Sequence, residues 1–407
     1  MTMAVHRARE MATTGLGWPM MTKASASSQS HSKVQSKKQP PVPPAPPHRR
    51  RAAVTSVDVA REAGVSQSVV SRAFSLHPSV AEQTRSDIFK VANRLGYRRN
   101  LLARSLITRK THLFALVTGA LANPLLLKII ETFTQAAQGH GYRVLLFTSL
   151  PGQDLDTALV DVLQYQPDGI IVLAGTPSKA IAAECLGNGI PLVMLGRESR
   201  DPLVPCVSCD NFAAGASVAQ LLVQAGYRRF AFITSRDPTM SFSERRQSGF
   251  CETVQRLCGK TPAVANGGSS YDGGYQAGLE LLRRAQRPDA IFCASDPMAC
   301  GVIDVARREL SLAVPDDLAV VGFDDVPMAA WKSYQLTTVR QPVDAMVHGA
   351  LSLLLKHEKE AAPGRRGATA AKRVAVAASL LPGELVLRSS THVPAARGVH
   401  GGAVNRA

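Results

Sequence analysis

The sequence predicts a small all-helical unit near the N-terminus followed by a large α/β block built on parallel sheets. Three observations predict this. Residues 55–97 carry three short helical patterns, each with start and stop signals. From Leu113 onward, strand-length apolar runs alternate with helical stretches. The charge is also divided: residues 1–112 carry +14, residues 113–360 carry −4 and residues 361–407 carry +6, within a 407-residue chain of net charge +16. The positive charge therefore belongs to the first quarter and the tail, and the largest block is mildly acidic. A basic first quarter is the electrostatic footprint expected of nucleic-acid binding.

Residues 1–53 read as a disordered basic arm. They are rich in Ser, Gln, Lys and Pro, and Pro40–Pro47 holds six prolines in eight residues, a polyproline II stretch. Residues 54–98 change character. Thr55-Ser56-Val57-Asp58 fits a capping box, with Val59, Ala60 and Ala63 as the apolar face of a short helix that Gly64 stops. Ser66 caps a second helix, Gln67 to Phe74, with Val70 inward. Ser79-Val80-Ala81-Glu82 reads as another capping box, opening a helix with Ile88, Val91, Ala92 and Leu95 on one face and Gly96 at its end. Residues 99–112 read as a hinge helix and linker.

In the α/β block the strand-like runs are Leu113–Val117, Tyr142–Phe147, Gly169–Leu173, Pro191–Leu195, Phe230–Ile233, Ala290–Cys293 and Leu318–Val321. Helical stretches include Leu125–Gln138, Asn211–Gln224, Gly273–Arg284 and Pro297–Leu310. This rhythm gives parallel sheets covered on both faces. On rhythm alone, one large sheet, a β/α barrel and two lobes all fit. Residues 358–371 read as a surface insertion, and 391–407 as a disordered tail.

Composition excludes several classes. Hydrophobic residues make up 45% of the chain, enough for a sizeable core. No apolar run approaches the ~18–20 residues of a membrane helix. The first 25 residues lack an apolar stretch of signal-peptide type, so a cytoplasmic location is expected. Seven cysteines, an odd number, read as reduced thiols, and the lone Cys206-x-x-Cys209 lacks the further ligands a zinc site needs. No metal and no cofactor are expected. Neither a Gly-x-Ser-x-Gly elbow, a Walker loop nor a His-Glu-x-x-His pair is present, so no enzyme is expected.

The first two helices carry the chemistry. Val59-Ala60-x-x-Ala63-Gly64-Val65-Ser66-x-x-x-Val70-Ser71-Arg72 is a helix-turn-helix: the small alanines permit a close crossing and Gly64 supplies the turn. Gln67, Ser68 and Arg72 are left facing outward. Glutamine can pair with adenine edges, and arginine with guanine O6 and N7, in the major groove. Asn100 to Leu106 is a short helix-capable segment exposing leucines, suited to ordering on DNA with a minor-groove wedge.

The order helix-turn-helix, Ala103-Arg104-Ser105-Leu106, then α/β block resembles the lactose-repressor (LacI/GalR) family. So do Asn123-Pro124, Asp210-Asn211, Gly226-Tyr227-Arg228-Arg229, Arg246-x-x-Gly249-Phe250, Ser295-Asp296, Gly322-Phe323-Asp324-Asp325 and Leu336-Thr337-Thr338-Val339. The resemblance covers roughly residues 54–390. It implies a two-lobed, periplasmic-binding-protein-like α/β core over 113–390, with an N-lobe of 113–209 and 340–357 and a C-lobe of 210–337 and 372–390. It implies a homodimer that binds a pseudo-palindromic double-stranded DNA operator and responds to a small-molecule effector: a sugar, sugar acid or other small metabolite. The DNA-binding set it implies is Thr55, Ser66, Gln67, Ser68, Ser71, Arg72, Asn100, Arg104 and the wedge Leu106. Three departures stand out. Arg99 replaces the proline usual before the hinge helix, Val69 replaces a threonine, and Leu125 and Leu126 replace aromatic residues that would stack on a sugar.

Ligands in such folds sit between lobes, at the carboxyl ends of strands. Asn123, Ser295, Asp296 and Asp324 occupy strand ends, as does Arg197 after Leu195-Gly196. Arg246 lies in a helical stretch and matches the family's effector-contacting arginine. Its rigid fork suits hydroxyls, carboxylate or phosphate. Asp296 before Pro297 also reads as a helix N-cap with proline at the first helical position. Two competing readings are a solute-binding protein, which leaves the helix-turn-helix unexplained, and an α/β enzyme fused to a DNA-binding unit.

Overall fold

The computed structural model describes residues 54–75, 77–98, 110–119, 121, 123–149, 154–199, 201, 204–235, 241–360 and 378–392. The chain forms two compact units, one ending at Arg98 and one beginning at Arg99. The N-terminal arm, the hinge residues Asn100, Arg104 and Leu106, and residues 361–371 of the insertion lie outside the described residues.

The first unit is three helices: α1 (Ser56–Glu62), α2 (Gln67–Phe74) and α3 (Glu82–Leu95). Val59, Ala60, Val70, Ala73, Ile88 and Ala92 form its core. Gly64 takes φ +65° in the turn, a conformation that costs glycine nothing. Gly96 closes α3 in the left-handed region at φ +71°. The start of α3 corrects the sequence reading. Ala81 is its N-cap and no side chain caps it. The Ser79 hydroxyl is engaged in the preceding loop instead, 2.8 Å from His77 Nδ1.

The second unit has two lobes. The N-lobe runs β1 (Leu113–Thr118), α4 (Pro124–Gly139), β2 (Arg143–Thr148), α5 (Leu155–Leu163), β3 (Gly169–Val172), α6 (Lys179–Gly187), β4 (Leu192–Leu195) and β5 (Cys206–Cys209). The C-lobe runs α7 (Asn211–Gln224), β6 (Phe230–Thr234), α8 (Ser241–Cys258), β7 (Ala263–Asn266), α9 (Tyr271–Leu282), β8 (Ala290–Cys293), α10 (Asp296–Glu309) and β9 (Ala319–Val321), then a 3₁₀ turn, Pro327–Ala330. The remaining elements are β10 (Thr338–Arg340), α11 (Val343–Glu360), β11 (Ser379–Leu381) and β12 (Glu384–Val386).

Two open sheets, ordered β11-β5-β4-β3-β1-β2 and β7-β6-β8-β9, exclude the closed barrel. Both are parallel, and the inner strands β3, β4, β6 and β8 are buried along their whole length because helices cover both faces. In β1, Phe114 and Leu116 pack with Phe133 on one face, while Ala115 and Val117 pack with Leu159 on the other.

The placement of 372–390 wholly in the C-lobe needs correction. β11 pairs in parallel with β5 at the edge of the N-lobe sheet, where it satisfies backbone groups left open by β5. β12 then crosses back, antiparallel to β10. Ser390 reaches the C-lobe, where its hydroxyl donates to Val320 O at 2.6 Å. The tail also begins later than expected: Thr391 is buried with its hydroxyl 2.9 Å from that of Thr337, and the His392 ring stacks on Tyr227.

Cys206 and Cys209 fall in different core clusters, on opposite faces of β5, so the Cys-x-x-Cys spacing on a strand separates the thiols rather than pairing them. Burial pushes the Cys209 thiol up to about 11.

Candidate functional site

Two regions collect the residues expected to act. In the first unit, Thr55 and Asp58 form the reciprocal capping box: Asp58 N–H donates to Thr55 Oγ1 at 3.4 Å and Thr55 N–H to Asp58 Oδ2 at 3.0 Å. The Thr55 N–H, and the Thr55 hydroxyl donating to Oδ2 at 2.7 Å, hold the Asp58 carboxyl below its usual range. Ser66 caps α2 by accepting from Val69 N–H at 3.4 Å. Thr55 and Ser66 thus shape the two helices. Gln67, Ser68, Ser71 and Arg72 are exposed on α2. Gln67 Nε2 donates to Ser56 Oγ at 2.9 Å, and Arg72 reaches Ser68 O and Ser79 Oγ, each at 3.4 Å. These bonds are to exposed partners, and the two made by Arg72 are long.

The second region lies between the lobes and centres on Asp324. This residue is 4% exposed and its backbone adopts φ +117°, a strained value for a residue with a Cβ. Its surroundings over-determine it. Asn123, the N-cap of α4, accepts from Leu125 N–H through Oδ1 at 2.9 Å, which turns Nδ2 across the cleft to donate to Asp324 Oδ2 at 2.8 Å. Gln341 Nε2 donates to Oδ1 at 2.7 Å. Arg246 Nη2 lies 3.9 Å from the same oxygen. One carboxylate therefore joins the N-lobe, the C-lobe and the segment between β10 and α11.

Arg246 is buried, and its guanidinium sits 3.4 Å from the centroid of the Phe323 ring. Its Nε donates to Asn211 Oδ1 at 2.8 Å and its Nη1 to Ala294 O at 2.5 Å. Glycine allows this: a Cβ on Gly249 would strike Phe212 O, and one on Gly215 would strike Arg246 O, so α7 and α8 can approach closely enough to deliver the arginine. Burial draws Arg246 down to about 10, against the pull of Asp324. Burial also raises Asp324, against Arg246, Asn123 and Gln341.

Asp296 departs from its expected capping role. α10 begins at Asp296 with Ser295 at the N-cap, and no side chain caps it. The fully buried Asp296 carboxylate instead accepts from Thr338 Oγ1 at 2.5 Å and Val326 N–H at 2.8 Å, fastening β10 and the 3₁₀ turn to the end of β8. Burial and the neighbouring Asp324 raise it well above the usual carboxylate range. An Asp296→Asn variant can keep both bonds, because the threonine hydroxyl can turn and accept. With folded Asp296 raised above its unfolded value, the wild type holds this contribution at low pH and loses it as pH rises. The variant should therefore be as stable or more stable at pH 7, with a flatter stability-versus-pH profile above about pH 4; urea titrations across pH measure both.

Ser295 Oγ is buried at the same strand end and has no hydrogen-bond partner among the described residues. Arg197 is buried too, but its Nη1 donates to Gly175 O at 2.7 Å, within its own lobe. The structure thus brings Asn123, Arg246 and Asp324 into direct contact, sets Asp296 and Ser295 beside them and ties Arg197 to the N-lobe. Sequence reasoning passed over Gln341, Asn211 and Thr338, although the last two lie in the Asp210-Asn211 and Thr337-Thr338 motifs. It also passed over a second link across the cleft, from Arg245 Nε to Glu198 Oε2 at 3.4 Å. A cavity of about 630 Å³ opens beside the crossover, bounded by Leu125, Lys128, Pro327, Ala330 and Val343, and Asp324 is the one candidate effector residue in its wall.

Comparison with known proteins covers both units. Residues 56–100 match the model for bacterial regulatory proteins of the lacI family, and residues 219–391 match that for a periplasmic binding protein-like domain. Catabolite control protein A of Priestia megaterium is 31% identical over 75% of this chain and 92% of its own length. The lac repressor dimer bound to operator and the anti-inducer ONPF superposes with a TM-score of 0.73 at 25% identity, over 84% of this chain and 99% of that one. A CelR–cellobiose complex, also a transcriptional regulator, gives a TM-score of 0.60 at 28% identity, over 83% of this chain and 99% of that one. A lacI-type reading unit, a two-lobed core and relatives of nearly full length together place this chain in the LacI family of DNA-binding transcriptional regulators.

Proposed function

We propose that the chain is a repressor that binds its operator as a dimer through Gln67, Ser68 and Arg72, and releases or tightens that grip when a small metabolite enters the cleft around Asp324. The observation that carries this reading is the Asp324 carboxylate, bonded to Asn123 of the N-lobe and beside Arg246 of the C-lobe. A ligand hydroxyl or amine that competes for Asp324 changes a bond between the lobes, and so has the differential affinity for two lobe arrangements that regulation requires. A coupling of ~1–3 kcal/mol is typical of such systems. The cellobiose complex among the similar structures supports a sugar as the effector. The two leucines at the start of α4 remove a stacking surface and favour a ligand held by hydrogen bonds. Regulation fits the family of transcriptional regulators to which the chain belongs. Cytoplasmic residence follows from this role, and no helix among the described residues is long and apolar enough to cross a membrane.

The test is a thermal-shift screen of the full chain against sugars, sugar acids, nucleobases and amino acids, followed by operator binding with the hit present. A hit should stabilise the core as its concentration exceeds Kd. Asn123→Ala should still bind operator but respond to the hit with a changed midpoint. Gel-shift titrations showing no preference for any duplex over random DNA would overturn the reading.

A further inference from the structure

One exposed side chain near the reading helix is held far more firmly than exposure requires. His77 lies five residues after Arg72, in the loop that joins α2 to α3. Its N–H donates to Arg72 O at 3.0 Å, and its carbonyl accepts from Val80 N–H at 3.2 Å and from Arg85 Nη2 at 3.1 Å. The ring is fixed as well. Ser79 N–H donates to Nδ1 at 3.2 Å, and the Ser79 hydroxyl lies 2.8 Å from the same nitrogen. A ring nitrogen that accepts an amide N–H must present a lone pair. The neutral ring therefore carries its proton on Nε2. His77 is exposed, and nothing among the described residues accepts from that N–H. The same Ser79 hydroxyl accepts from Arg72 Nη1 at 3.4 Å, so the ring and the reading arginine meet at one group.

We propose that His77 is a DNA-backbone contact: its Nε2–H donates to a phosphate oxygen of the strand that flanks the bases facing α2. Phosphate oxygens only accept, and backbone contacts of this kind set the register in which a reading helix meets the bases. A donor mounted on a loop bonded to both helices can set that register, whereas a freely rotating one would pay ordering entropy on every encounter. The inference rests on the proposed DNA reading but is judged separately from it, because a backbone contact acts on any sequence.

Two substitutions separate this role from simple bracing of the loop. In His77→Asn, the amide oxygen can replace Nδ1 and accept from Ser79 N–H, but no donor remains at the Nε2 position. In His77→Gln, the amide N–H reaches the Nε2 position, while the Nδ1 bond is lost. Fluorescence anisotropy of the full chain on random-sequence duplex and on operator is the measurement. His77→Asn should weaken binding to both duplexes alike, by about three- to tenfold, and His77→Gln should stay within about twofold of wild type. The reverse order would make His77 a loop brace, and equal binding by all three proteins would also overturn the contact. If wild type and Arg72→Ala show no operator preference, the reading of bases fails; the His77 comparison on random duplex still decides the phosphate contact.

Discussion

Replacing Arg246 with alanine should lower the stability of the core by about 3–5 kcal/mol, the usual cost of leaving one partner of a buried ion pair behind. The substitution does four things at once. It leaves Asp324 buried with only the amides of Asn123 and Gln341, strips a donor from Asn211 Oδ1 and another from Ala294 O, and removes the cation stacked on Phe323. The deficit should appear as a lower urea midpoint at unchanged slope. It should also depend on pH in a defined direction. Folded Asp324 is already raised by burial, and loss of the arginine raises it further. A raised carboxyl contributes stability that is complete below its unfolded value and is lost as pH rises through its folded value. The gap between variant and wild type should therefore narrow on acidification, as Asp324 takes up a proton and no longer needs a counter-charge. A double variant, Arg246→Met with Asp324→Asn, should recover part of the loss, because no unpaired charge then remains. A midpoint unchanged in Arg246→Ala would mean that the guanidinium stands open to ligand rather than serving as the pin that the geometry describes.

The contrast between partners near in the chain and partners far apart shows what periodicity and motif can and cannot carry. Short-range patterns were legible. The capping box at Thr55, the Ser66 cap, the turn at Gly64 and the apolar face of α3 all depend on residues three or four apart. The apolar runs of β1, β3 and β8 were legible because a strand buried on both faces leaves an uninterrupted signature. What was not legible depends on partners distant in the chain. Asn123 meets Asp324 across 201 residues, and whether Asp296 serves a ligand or fastens β10 depends on Thr338 arriving from 42 residues away. β11 failed for another reason. It has three residues, only one of its side chains is even partly buried, and its pairing is decided by the open edge of β5 rather than by its own sequence. Strand-end position placed the candidates near the cleft; their hydrogen-bond partners come from distant segments that strand-end position does not reveal.

Arg72→Ala should abolish operator discrimination while leaving the core's stability and ligand response intact. In the described structure Arg72 is exposed, and its two bonds, to Ser68 O and Ser79 Oγ, are both 3.4 Å long. Bonds that long between exposed groups contribute little, so the guanidinium can swing to a base edge at small cost. On guanine, the fork donates to O6 and N7 together, and such a bidentate contact is worth ~1–3 kcal/mol of discrimination against the wrong base. In competition binding the ratio between operator and an operator changed at that base should fall from roughly five- to 150-fold to near one. Affinity for random duplex should fall much less, by the share of one positive charge among the backbone contacts, and the salt slope should shorten by no more than about one. Because Arg72 belongs to the first unit and Asp324 to the second, the melting temperature of the core and its shift with ligand should match wild type. A variant that keeps its preference at every operator position would move the base-reading role from Arg72, in the last turn of α2, to Gln67 and Ser68, exposed in its first turn. A uniform loss on all duplexes would make Arg72 a backbone contact, the role proposed for His77.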